Sequence, residues 1–109
     1  MLILATACAS TPPPIEQMAT SRAAISNASS AGSNEFAPLQ LKAAIEKMDE
    51  AERLLKEKDY ARARQLAEQA QLDAQLAVVM TRSGKAQKAA DALQEDSRVL
   101  RQEIERKAQ

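Results

Sequence analysis

The sequence predicts an all-α fold, an antiparallel three-helix bundle whose long third helix extends as a coiled-coil-like arm. Three observations point there. Apolar residues recur at three- and four-residue spacing along most of the chain, the signature of helices with one buried face. Alanine supplies 23 of the 109 residues, about half of the 45% apolar share, so close approach of helices has to replace a thick core. A second apolar stripe lies on the far side of the last helix, where a three-helix bundle has nothing to cover it. The length fits a single domain.

Composition excludes several kinds of chemistry. The chain has no histidine, which removes a Ser-His-Asp triad and any His-ligated metal site. One cysteine can make neither an intramolecular disulfide nor a Cys-rich zinc site. Fifteen basic residues balance fifteen acidic ones, so the net charge offers nothing to nucleic acid. The local basic run Arg82, Lys85, Lys88 is diluted by Asp91, Glu95 and Asp96 and lacks aromatic residues for base stacking. Glu46 and Glu50 form a carboxylate pair, but no cleft, metal partner or aromatic wall accompanies them, and they fit a solvated face. The expectation is a protein that is not an enzyme and holds no cofactor and no metal.

The first fourteen residues concern address. Residues 1–7 are uncharged and mostly apolar, far short of the roughly 20 that span a bilayer. They match the end of a secretory signal peptide whose basic start is missing, so a truncated signal is expected over 1–7. Cys8 follows Leu4-Ala5-Thr6-Ala7 directly and resembles a lipobox cysteine, the residue at which bacterial lipoproteins are acylated and cleaved. Leucine stands four residues before the cysteine where three is preferred. Residues 8–14 then form a lipidated cysteine and a spacer, because Ser10-Thr11-Pro12-Pro13-Pro14 resists helix. By the same resemblance, Ala9 in place of Asp implies sorting to the outer membrane, with the domain facing the periplasm.

The bundle is expected over 15–84. Helix one begins at Pro13 or Pro14, since proline is tolerated in a first turn, and Glu16 suits its positive end. Ile15, Met18, Ala19, Arg22, Ile25 and Ala28 mark its inward stripe, and Asn27, Ser29, Ser30, Gly32 and Ser33 end it. Helix two begins near Ala37-Pro38 and turns Leu41, Ala44, Ile45, Met48, Ala51 and Leu55 inward. Acid-first pairs Asp49–Arg53 and Glu52–Lys56 line its outer face. Glu57-Lys58-Asp59 makes a turn with Asp59 as N-cap of helix three. Ala63, Leu66, Ala67, Ala70, Ala74 and Ala77 then form an alanine ridge, with Tyr60 plugging the end of the bundle.

On the opposite side of helix three, Leu72, Val79, Ala86, Ala90, Leu93, Leu100 and Ile104 follow one another in steps of seven, four and three, with Ser97 as a polar member. This is a heptad seam. Either helix three is continuous from about 60 to 107 and residues 85–109 project as an arm, or Ser83-Gly84 breaks it and the last segment folds back. A lone glycine costs only ~1 kcal/mol inside a helix, which favours continuity. Leu72, Val79, Leu93, Leu100 and Ile104 are the candidate partner interface.

The run Phe36-Ala37-Pro38-Leu39-x-Leu41-x2-Ala44 to Leu55-x4-Tyr60-x2-Ala63-x2-Leu66-Ala67-x2-Ala70-x2-Asp73-Ala74 resembles a family of uncharacterised bacterial envelope lipoproteins. In that family an alanine-rich helical domain follows a lipobox and stands alone or precedes an OmpA-like peptidoglycan-binding domain. The resemblance covers about residues 8–85 and implies no catalytic or ligand residue. Residues 51–70 also resemble one tetratricopeptide hairpin, yet no second copy recurs at the 34-residue period that such arrays need. The expected function is a lipid-anchored periplasmic structural or interaction module, binding envelope proteins or itself through the seam, with the membrane as partner through acylated Cys8. The alternative is a small-ligand or lipid-binding module with a groove lined by Met48, Leu54 and Met80.

Overall fold

The computed structural model describes residues 10–109. Helix α1 spans Ile15–Ala31, α2 Ser33–Phe36, α3 Pro38–Lys56 and α4 Tyr60–Lys107. Helices α1 and α4 run side by side in the same direction, with Ser21 beside Ala67 and Ser33 beside Thr81. Helix α3 returns antiparallel to both. The single turn α2 forms the corner between α1 and α3. The expected three-helix bundle with a long last helix is therefore present, with one added turn.

Helix α1 runs through the serine-rich stretch that was expected to end it and stops at Gly32. That glycine takes φ 100°, and its N–H returns to the carbonyls of Ala28 and Ser29. A left-handed C-cap of this kind satisfies carbonyls that would otherwise be orphaned, and only glycine adopts it without strain. Ser33 then opens α2 instead of closing α1. It is buried, with its Oγ 2.8 Å from Thr81 Oγ1. Thr81 in turn donates to Ala77 O at 2.7 Å, which leaves Ser33 as the donor to Thr81.

Local signals place the other boundaries where the residue types require. Pro38 sits at the first position of α3, where its missing N–H costs nothing. Asp59 caps α4 by accepting from the Arg62 N–H at 3.4 Å, and Lys58 before it takes a positive φ of 63°. Gly84 lies inside the unbroken α4, so the chain does not fold back there. A Cβ at Gly84 would stand 2.5 Å from Phe36 Cδ1. The glycine accordingly makes room for the aromatic ring that closes this end of the bundle.

The core is thin and largely alanine. Ala63, Ala67, Ala70, Ala74 and Ala77 of α4 are fully buried, against Ala28, Leu41, Ala44, Met48, Ala51 and Leu54. Two side-chain phases differ from the expected stripes. In α1 the inward residues are Met18, Ser21 and Ala28, whereas Ile15 and Ala19 are exposed and Arg22 turns out to pair with Glu52 at 2.8 Å. Ser21 can face inward because its Oγ lies 2.6 Å from Ala67 O, and its small side chain suits a close crossing. In α3 Leu54 takes the core place expected of Leu55, which is half-buried, and Ile45 is exposed. Burying a side chain such as Leu54 or Met18 contributes about 1.5–3 kcal/mol, so a few large residues carry much of the apolar stabilisation.

Past α2 the bundle ends and α4 continues alone. The last contacts are Lys88 Nζ with Glu35 at 3.5 Å and over the Phe36 ring at 5.9 Å. Every residue from Lys85 to Gln109 is exposed. The radius of gyration, 24.0 Å, contrasts with about 13 Å for a compact domain of this length.

Candidate interaction surface on the long helix

Helix α4 carries two stripes with the same 4-3 spacing on opposite faces. The first is Ala63, Ala67, Ala70, Ala74, Ala77 and Thr81, all buried against α1, α2 and α3. The second is Leu72, Leu76, Val79, Ser83, Ala86, Ala90, Leu93, Ser97, Leu100 and Ile104. Positions two apart on a helix differ by about 200°, so neighbouring members such as Ala70 and Leu72 point to opposite sides. The seam therefore faces away from the bundle along its whole length.

The chemistry of the two stripes diverges where the bundle stops. Continued at the same spacing, the bundle stripe reads Gly84, Lys88, Asp91, Glu95, Arg98, Gln102 and Glu105. It turns from alanine to charge within one turn of the last bundle contact. The seam stays free of charge, and its Leu93, Leu100 and Ile104 are 68%, 63% and 69% exposed. An arm that only extended into water would have no physical reason to keep leucine and isoleucine on one face, since each such side chain left in water forgoes ~1.5–3 kcal/mol of burial.

Of the expected interface residues, Leu72 and Val79 lie beside the bundle and Leu93, Leu100 and Ile104 on the arm, all in one line and all exposed. Leu76 belongs to the same line and is half exposed. The seven-residue step from Leu72 to Val79 spans it, and strict 4-3 alternation is the signal that finds it. Cys8, the expected acylation site, lies outside the described residues.

Charges sort by face as well. On the arm's outer face Arg98 donates to Glu95 at 2.6 and 3.0 Å, and Arg106 donates to the seam-flanking Glu103 at 2.8 Å. The Arg98 hydrogen bonds hold the Glu95 carboxyl below its usual range. Similarly, Arg53 lowers Glu50 on α3. Arg82, Asp96 and Arg101 flank the seam and, among the described residues, make no ion pair within the chain.

The residues expected to line a ligand groove do not come together. Leu54 is in the core, and Met80 is on a different helix face from the one that packs against Met48. Met48 does border an open groove of about 410 Å³ between α1 and α3, with Arg22, Ile25, Ile45 and Asp49. Among the described residues no three His, Cys, Asp or Glu side chains are placed to hold a metal ion. No described helix is long and apolar enough to cross a membrane.

The family model described as Domain of unknown function (DUF4398) matches residues 16–93. No curated protein and no solved structure matches the chain.

Proposed function

The chain belongs to the DUF4398 family, a domain of unknown function, and we propose that it is a lipid-anchored envelope protein that recruits a helical protein partner through the seam on α4. It performs no catalysis in this reading. The observation that carries it is the divergence of the two stripes: past the bundle the continued bundle stripe turns to charge, while the seam keeps Leu93, Leu100 and Ile104 exposed on one line. A continuous 4-3 line of exposed leucine, isoleucine, valine and alanine, interrupted by Ser83 and Ser97, fits a partner helix, which docks through residues of the same spacing.

The lipid anchor rests on the residues around Cys8 and on where the chain enters the bundle. Pro13, Pro14 and Arg64 lie together, so α1 starts at the end that holds the α3–α4 turn, opposite the arm. Six residues of chain reach at most about 22 Å, whereas α4 runs about 65 Å from Arg64 to Lys107 at 1.5 Å per residue. An acyl group on Cys8 would hold the base of the bundle to a membrane, while the seam would stand off from it. Acyl chains contribute about 0.8 kcal/mol per buried methylene, enough for firm anchoring when several are attached.

Two measurements test this. A photo-crosslinking amino acid placed at Leu93 in the full-length protein in cells should give an adduct of discrete mass, and the same group at Arg98 should give none. Equal labelling from both faces, or no adduct from Leu93, would remove the interaction reading. Fatty-acid labelling that persists after Cys8→Ser would remove the anchor.

A further inference from the structure

We infer that the occupant of the seam is a second copy of this chain, aligned parallel and in register from Leu72 to Ile104, so that two arms form one left-handed coiled coil. The inference rests on the seam being a protein-binding face, and it names the partner.

The seam is suited to its own image. Ten positions from Leu72 to Ile104 keep an unbroken heptad spacing, and a seven-residue repeat on a 3.6-residue helix winds two helices left-handedly about each other. Leu72, Leu76 and Val79 form layers beside the bundles, and Leu93, Leu100 and Ile104 form them on the arms. Ser83, Ala86 and Ala90 lie between, where small side chains let two backbones approach closely. Bundle and seam occupy opposite faces of α4, so the two bundles would sit on the outside of the paired helices without obstructing them.

Charge supports the parallel register. In a parallel pair, the residue just before one core position faces the partner residue five positions later. Asp96 then meets the partner's Arg101, and by symmetry Arg101 meets the partner's Asp96. These are two of the seam-flanking charges that pair with no other charge among the described residues. Farther along the seam Arg82 meets the partner's Gln87 and Glu103 the partner's Ala108; like charges oppose at the bundle end, where Glu68 faces the partner's Asp73, whose charge Lys47 already pairs at 2.6 Å. An antiparallel pair that overlaps the whole seam would set Leu72 against the partner's Ile104. It would carry the two bundle bases to opposite ends, about 80 Å apart at 1.5 Å per residue. Only the parallel pair brings both amino-terminal segments to one membrane.

The test uses the full chain with Cys8→Ser and a single new cysteine. Leu93→Cys should form a disulfide-linked dimer on mild oxidation, and Arg98→Cys should not. When chains carrying Leu72→Cys are mixed with chains carrying Ile104→Cys, each should cross-link to its own kind. Mixed 72–104 dimers would establish the antiparallel pair and overturn the inference. Asp96→Arg should weaken the dimer about tenfold by sedimentation equilibrium, and adding Arg101→Asp should restore most of the loss; absence of rescue would overturn the register. A strict monomer at high micromolar concentration would overturn self-pairing. If Leu93 still cross-links to a different protein in cells, the seam reading survives that result, and if Leu93 gives no adduct both fall.

Discussion

Gly84 and Phe36 illustrate how one residue can appear to be a defect until its neighbour is known. A glycine inside a helix forgoes about 1 kcal/mol relative to alanine, and here it sits in the middle of 48 helical residues. The compensation is the Phe36 ring, which occupies the volume a Cβ would need. Gly84→Ala should therefore lack the usual gain of an exposed helical Gly→Ala change, and Gly84→Leu should destabilise by about 1–3 kcal/mol as the ring is displaced. Urea unfolding followed by far-UV circular dichroism measures both. A Gly84→Leu protein as stable as the parent would show that Phe36 does not close the bundle end. Ser21 and Ser33 follow the same logic of small polar side chains at close crossings, each with a buried hydrogen-bond partner.

At the scale of elements, the arm of α4 depends on local interactions because none of the other described residues covers it. Arg98 hydrogen bonds keep the Glu95 carboxyl lower in the helix than in the unfolded chain, whose ordinary value is 4.5. A depressed carboxylate contributes stability above its unfolded pKa and loses it as pH falls through the lowered folded value. Acidification from neutral to below the ordinary carboxylate value should therefore reduce helical ellipticity slightly, and Glu95→Gln should show a smaller loss over the same window. An identical acid titration in that variant would show that the pair contributes nothing to the arm. The extent of α4 was legible in the sequence, as were the cap at Asp59, the start at Pro38 and the alanine ridge, because each depends on residue type at fixed spacing. The phase of α1 was not. Its neutral serine-rich sequence has no strong apolar stripe, and the choice of Ser21 over Ala19 or Arg22 is made by the neighbouring Ala67 carbonyl. Nor was α2 legible, since Ser33 reads locally as a helix breaker and its side chain is held by Thr81, 48 residues later. Leu76 follows from a strict 4-3 count of the sequence.

Over the whole molecule, burial divides the chain into two regions that share one helix. From Pro14 to Thr81 the fold is held by side chains packed between helices, and beyond Lys88 no side chain from the rest of the described residues packs on the arm. Substitutions should sort accordingly. Leu54→Ala removes one of the few large core residues and should cost about 2–5 kcal/mol. Leu93→Gln together with Leu100→Gln should leave unfolding of the dilute monomer nearly unchanged, because those side chains are already in water. Amide hydrogen exchange makes the division visible along the backbone. Amides of α4 between Ala67 and Thr81 should open only with global unfolding, whereas those from about Ala92 onward should exchange through local fraying, the low-stability end of the same element. The arm does not have to nucleate its own helix, since it propagates from a packed one, so its exchange should slow gradually toward Lys88. Pairing of two seams adds a term that depends on concentration. Raising the protein concentration should protect the arm and leave the bundle amides, already at the global limit, to rise only by the free energy of association. Uniform exchange along α4 at low concentration would mean that the arm is covered by something within the chain, and the seam could not then be a surface held open for a partner.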